Sequence, residues 1–285
     1  MKILKYSLSL VVMLFVITSC EKHEIKFTQE IPFNSETQAA FELNYIVNLT
    51  TDASNNITKV ELNDEIIYRS DITPYNCAPN VGGTAGRFFI VNKGKSNIKL
   101  YQGVSPNYTL VYDNEFDLDG GKYYNVFIHS FKQAPIVINN GYPYKKDPVH
   151  KDSCGYVRFY NFLYETDSTP TTLRLQYKRL DHFTADKWVD VGTPVAFGEC
   201  TDWETIVIKR PTGIVNGSVR VDYRIHIIDD QGNDMGRLQI RGTGSSYSNY
   251  SDWWTCYIGR FQHHIFKGYR AKNTLRAGVT TVWAW

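Results

Sequence analysis

This chain of 285 residues has none of the short signatures that mark common chemistries. Its five cysteines include no CxxC pair, which argues against a zinc knuckle or a thioredoxin-like redox motif. There is no G-x-S-x-G elbow, no H-E-x-x-H zinc helix and no glycine-rich phosphate loop, so the motif-borne hydrolase and nucleotide classes have no foothold. Charge of either sign is not in excess. The 31 basic and 29 acidic residues give a formal net charge of +2, and no compact Lys/Arg run occurs. The electrostatic footprint of a nucleic-acid binder is therefore missing, and no nucleic-acid partner is expected. No apolar run reaches the roughly 20 residues that a membrane-crossing helix needs. Long segments with helical periodicity are also absent.

The first residues, MKILKYSLSLVVMLFVITSC, hold the clearest positive signal. Lys2 and Lys5 precede an uncharged, mostly apolar stretch from Tyr6 to Ile17, and small residues then lead to Cys20. The stretch is too short for a transmembrane anchor and has the layout of a secretory signal peptide over residues 1–19. Its end resembles a bacterial lipobox. That resemblance implies cleavage before Cys20 and lipidation of the Cys20 sulfur. The anchor is expected in the outer membrane, with the protein displayed on the cell surface. More than one acyl chain makes such an anchor stable. Lys2 and Lys5 account for the whole net charge, so the remaining 266 residues would carry 29 charges of each sign. Outside the cytoplasm, Cys77, Cys154, Cys200 and Cys256 could pair in three ways or stay as buried thiols, and the sequence does not choose.

After a polar tether over 20–35, apolar residues recur at period two. Val219, Val221, Tyr223, Ile225 and Ile227 alternate with Arg220, Asp222, Arg224 and His226, the mark of a strand with one buried and one wet face. Leu173–Tyr177 and Tyr124–Ile128 repeat the pattern. Further short strands are predicted at 41–49, 57–62, 65–68, 87–92, 98–101, 108–112, 136–138, 156–162, 195–197, 204–208, 238–241, 256–261 and 279–283. Turn signals such as Asp119-Gly120-Gly121 and Asn216-Gly217 separate them. Residues His263 to Arg276 are the one place where a short helix is considered. Gly86–Asn92 and Gly155–Asn161 share a G-x5-N pattern around an aromatic strand, and 139–153 has a linker's composition. The expected fold is all-β, with two immunoglobulin-like or transthyretin-like antiparallel β-sandwich domains in tandem at 36–143 and 153–285, joined by a linker at 144–152. One large sandwich is the alternative.

Tyr156-Val-Arg-Phe-Tyr-Asn161, Leu173-Arg-Leu-Gln-Tyr177 and Pro194-Val-Ala-Phe-Gly-Glu199 resemble the tandem β-sandwich lipoproteins of unknown function from gut Gram-negative bacteria. The resemblance covers about half of the chain and is weaker in the first half. It implies fold and location, and it brings no catalytic residues.

Candidate site residues come from composition. His263-His264 would face opposite sides of a strand and could not share a metal, so they are expected on the surface, as are His129 and His226. Asp229, Asp230 and Asp234 lack EF-hand spacing and suit a tight turn. No cofactor or metal is expected. Residues 242–254 combine Gly, Ser and Asn with Tyr247, Tyr250, Trp253 and Trp254, the mixture of rigid amphipathic rings and adaptable polar groups found in binding loops. Flat rings beside hydrogen-bonding groups suit the C–H faces and hydroxyls of sugars. One of the two tryptophans could instead enter the core. Trp188, Trp203, Trp283 and Trp285 are expected to pack. The functional expectation is a non-enzymatic surface protein that binds a glycan or another ligand, with a fimbria-like adhesive subunit as the alternative. Metabolic labelling with an alkynyl fatty acid should tag the protein and fail to tag Cys20→Ser, which should also leave the membrane fraction.

Overall fold

A computed structural model describes residues 33–48, 56–70, 88–150, 153–181, 187–208, 217–242, 244–272 and 275–284. Residues 1–32, with Cys20, lie outside the described residues, as do Cys77 and Trp285. The described part falls in one compact unit, Phe33–Trp285, and is all-β, with no helix among the described residues. In chain order the strands are β1 (Gln38–Tyr45), β2 (Lys59–Leu62), β3 (Glu65–Arg69), β4 (Phe88–Asn92), β5 (Gly94–Val104), β6 (Asn107–Leu118), β7 (Tyr123–Ile128) and β8 (Ile136–Asn139). There follow β9 (Cys154–Thr166), β10 (Thr169–Pro170), β11 (Arg174–Leu180), β12 (Trp188–Val195), β13 (Glu204–Val207), β14 (Ser218–Ile228), β15 (Asp234–Arg237) and β16 (Gln239–Arg241). The last are β17 (Tyr247–Asn249), β18 (Ser251–Tyr257), β19 (Phe261–Tyr269) and β20 (Gly278–Ala284).

The strand order repeats along the chain. In the first half one sheet runs β4-β1-β7-β8 and another β3-β2-β5-β6. In the second half β13 pairs with β9 in a sheet continuing through β19 and β20, while β12-β11-β14 continues into β18. Strands β1–β8 thus match β9, β11–β14 and β18–β20, with β10 and β15–β17 inserted. Even the parallel pairs match, β1 with β7 and β9 with β19. Those parallel pairs correct the expectation of wholly antiparallel sheets. The repeat is also not where the sequence echo puts it. Phe88–Asn92 is β4, whose counterpart is β13, whereas Gly155–Asn161 belongs to β9, whose counterpart is β1.

Burial patterns assign the layers. β7 and most of β9 and β19 are buried at every position, as expected for strands covered on both faces, while β5 and β14 alternate. One core lies between the first two sheets and includes Phe41, Val60, Leu100, Tyr112 and Val126. A second lies between the later two and includes Phe159, Leu175, Tyr177, Ile225, Trp254 and Phe266. A third, smaller cluster of Ile46, Phe127, Tyr160, Phe162 and Ile265 joins the back faces of the β1/β7 and β9/β19 sheets. Phe127 and Phe162 lie 4.7 Å apart there.

Several sequence expectations are overturned. The described residues of 263–276 contain no helix, because β19 is paired along its length with β9 on one side and β20 on the other. Gly268 has φ +107° and backbone of residues 275–277 at 2.8 Å from where a Cβ would stand. The strand expected at 256–261 is interrupted: Cys256 and Tyr257 end β18, residues 258–260 form the turn, and Phe261 begins β19. At 195–197 only Val195 is in a strand. Within the stretch of linker composition, residues 139–144 are bonded to the body of the fold. The Tyr144 ring stacks on Phe261 at 4.8 Å, its hydroxyl donates to Asn140 Oδ1, and Arg158 donates to the carbonyls of Asn139 and Asn140. Of the cysteines, Cys200 and Cys256 are free thiols. Cys154 shares a face of β9 with Tyr156, while the Cys256 sulfur abuts Gly155 on the other face, so those two cannot be bridged without backbone movement.

The four histidines expected on the surface are all buried: His129, His226, His263 and His264. His263 sits between the inner sheets in a polar chain. Its Nδ1 is 2.8 Å from the Tyr160 hydroxyl, which accepts from Asn125, which in turn accepts from Asn44. Glu42 lies 3.7 Å from the other ring nitrogen and accepts from Asn140. Burial raises the Glu42 pKa to about 8. Burial, followed by the charges of Arg158 and His264, lowers that of His263 to about 3. Near neutral pH both groups are therefore uncharged, and the contact is a neutral one. Because the folded-state Glu42 pKa is raised, its contribution is full at low pH and is lost as pH climbs from about 4.5 through about 8. His263 has the opposite sign and loses stability as pH falls from 6.5 toward 3. Thermal unfolding across pH should show Glu42→Gln flattening the alkaline limb and sparing the acid limb. Parallel alkaline limbs would contradict a protonated Glu42.

Candidate functional site

The outer sheet of the second half, β12-β11-β14-β18, turns one face to the core and the other to solvent, because its strands alternate. On β14, Val221, Tyr223 and Ile225 point inward, leaving Arg220, Asp222, Arg224 and His226 on the opposite face. The same alternation separates the adjacent tryptophans of β18. Trp253 is 51% exposed and Trp254 is 6% exposed. Register then aligns residues across the sheet. Trp188 is opposite Leu180, and Asp222 is opposite Trp253. Continuing the β11–β14 register by one residue brings Leu180 beside Asp222. Trp188, Leu180, Asp222 and Trp253 thus form one row across four strands, with the tryptophans three strand spacings apart, about 14 Å.

A shallow cleft of about 450 Å³ follows this row, lined by Trp188, Leu180, Arg220, Asp222, Arg237 and Trp253, with Ser251 and Asp252 at its edge. Each tryptophan carries a guanidinium: Arg220 lies 4.8 Å from the Trp253 ring, and Arg224 lies 4.2 Å from that of Trp188. Arg220 also donates twice to Asp222. Lys178 bridges Asp190 and Asp234, each at 2.9 Å, and His226 is 2.7 Å from Asp234. Burial alone would raise the Asp234 pKa, but the hydrogen bonds from His226 and Lys178 outweigh it and hold this carboxylate well below the usual range. Arg224 has no such carboxylate. Burial, and then the charge of Arg237, lower its pKa, and the charge of Asp234 offsets part of that. The Nε atoms of Arg224 and Arg237 are buried and have no hydrogen-bond partner among the described residues.

Of the four aromatic residues singled out in sequence, Trp253 is in the cleft and Tyr247, 47% exposed, is on the neighbouring β17. Tyr250 and Trp254 are corrected to core residues. Tyr250 is 5% exposed, with its hydroxyl 2.9 Å from that of Tyr223. Trp254 packs edge-on against His264 at 4.5 Å. The expected binding loop is mostly strand, β17 and β18, so alternation divides its rings between surface and core. Trp188, expected to pack, instead joins the cleft. Its place could be read in sequence only by knowing that β12 pairs with β11. Trp203 and Trp283 do pack, against Tyr144 and Tyr257 respectively. Asp229 caps its own turn, accepting from the backbone of Gln231 and Asn233 and from the Asn233 side chain. No group of three metal-ligating side chains occurs among the described residues.

No protein-family profile and no curated protein matches the chain. Solved structures with some likeness include the Bacillus anthracis TIE protein, with TM-score 0.25 and 8% identity over 81% of this chain and 34% of that one. Another is a leucine-rich repeat protein from Bacteroides thetaiotaomicron VPI-5482, with TM-score 0.23 and 10% identity over 85% of this chain and 27% of that one. The chain spans about a third and about a quarter of their lengths. Likeness this low carries no argument about fold or function.

The two tryptophans should respond differently to truncation. Trp254→Ala should cost about 3–5 kcal/mol in denaturant unfolding. Trp253→Ala should stay within about 0.5 kcal/mol of the parent.

Proposed function

We propose that this is a lipoprotein held on the outer membrane through Cys20, with two immunoglobulin-like or transthyretin-like sandwiches in tandem, that binds a surface glycan in the Trp188–Trp253 cleft. The repeated strand order supports the tandem reading. The observation that carries the binding function is the exposed Trp253 ring, aligned with Trp188 across four strands and bordered by Arg220, Asp222 and Arg237. Flat rings offer stacking to apolar sugar faces, and the guanidinium and carboxylate groups between them offer hydrogen bonds to hydroxyls. The spacing of the rings fits a chain of sugars better than a single one. The protein would act without catalysis, as an accessory to nutrient capture, and a membrane tether would let a weak site work through local concentration.

The fimbria-like reading keeps one supporting observation. β20 lies at a sheet edge, and Gly278–Ala284 contains no charged residue to discourage an added strand. Isothermal titration against a panel of polysaccharides separates the two readings. At least one should bind, and Trp253→Ala or Trp188→Ala should weaken it roughly tenfold, about 1.4 kcal/mol. Concentration-dependent assembly abolished by deleting β20, with no glycan binding, would favour the adhesive subunit.

A further inference from the structure

The charges on the solvent face of the β12-β11-β14-β18 sheet are balanced in number but unevenly paired. Asp222 is taken by Arg220, and Asp190 and Asp234 are both taken by Lys178, with His226 also on Asp234. Asp252 accepts from the backbone of Trp253. Arg224 and Arg237 are left with no carboxylate within ion-pairing distance among the described residues. Arg237 pairs with His226 across β15 and β14, and Arg224 pairs with Ser251 across β14 and β18. Arg237 lines the cleft near Ser251 and Arg224 lies over Trp188, and the charge of Arg237 disfavours that of Arg224 while Asp234 offsets part of the effect. Arg237 makes one long hydrogen bond, 3.4 Å, to the Tyr250 carbonyl, and the Nε atoms of both arginines are buried and unmatched.

The outer sheet of the first half shows the contrast. There Lys59 lies 3.8 Å from the Tyr101 ring and pairs with Glu61 at 2.7 Å, and Lys99 pairs with Asp64. Its cations are answered within the protein. Two neighbouring guanidiniums, half-buried beside a tryptophan-lined cleft and each without an ion-paired carboxylate among the described residues, leave a place for an anion from outside, with the more distant Asp234 offsetting only part of the charge on Arg224. Guanidinium offers paired N–H donors that match a carboxylate or sulfate.

We propose that the Trp188–Trp253 cleft selects an acidic polysaccharide, with Arg224 and Arg237 receiving a carboxylate or sulfate of one sugar while the tryptophans stack on its neighbours. This rests on the glycan-binding reading and adds the ligand's charge to it.

The test uses matched polymers and the whole chain in detergent. Polygalacturonate is compared with its methyl ester, and dextran sulfate with dextran, by isothermal titration. The acidic member of at least one pair should bind about tenfold or more tightly, with an advantage that shrinks as salt is raised. Which pair shows it distinguishes carboxylate from sulfate. Arg224→Gln and Arg237→Gln should each remove most of that advantage, lowering affinity for the acidic polymer more than for its neutral match. Arg224→Lys, which keeps the charge and the cation over Trp188, should recover part of it and guards against a loss through misfolding. Equal binding of neutral and acidic polymers, lost on Trp253→Ala, would overturn the charge proposal and keep glycan binding. An acidic preference that survives both glutamine variants would overturn it too. No binding by a folded protein to any polymer would overturn both.

Discussion

The packing of the β1/β7 sheet against the back of the β9/β19 sheet is the constraint on which the rest of the molecule depends. Each sheet already covers a core on its other side, so these four strands are buried on both faces. A strand in that position cannot keep its polar residues in water. Glu42, Asn44, Asn125, Tyr160 and His263 are instead linked to one another, and the two titratable groups give up their charge. An ionised pair there would have to overcome desolvation of both partners, which in buried sites often exceeds the attraction gained. A neutral network costs less and still demands one register, because a slip of one residue would leave every member without its partner.

That interface explains why residues 139–144 behave as part of the body. Tyr144 and Trp203 close over Phe261, and Arg158 reaches through to the carbonyls of Asn139 and Asn140. With the two inner sheets occupied by each other, the solvent-facing chemistry is confined to the two outer sheets. One of these answers its own cations. The other combines two aligned tryptophans with two arginines that have no ion-paired carboxylate among the described residues. The cleft is shallow, as expected of a flat sheet face, and suits an extended ligand more than a small enclosed one.

Much of this was legible in the residues. Alternation located β14 and β11, turn signals separated the strands, and the Trp253-Trp254 pair announced that one ring would be in and one out. The harder positions share a cause. The Phe261-Gln-His-His-Ile-Phe266 run shows no alternation because both of its faces are buried, and a histidine pair without alternation looks like a surface feature. The G-x5-N echo matched local composition between strands that are not equivalent in the sheets. Tyr250 and Trp254 looked like binding residues for the same reason: amphipathic rings serve cores and sites equally well, and composition does not distinguish them.

Strand character, the all-β class and the alternation of Trp253 with Trp254 follow from neighbours along the chain, since side-chain direction in a strand depends on the adjacent residues alone. The alignment of Trp188 with Trp253, the lack of an ion-paired carboxylate for Arg224 and Arg237 among the described residues, and the neutrality of Glu42 and His263 depend on which distant strands pair and which faces are covered. Those pairings arise from long-range burial and register, and the same local pattern is compatible with many of them.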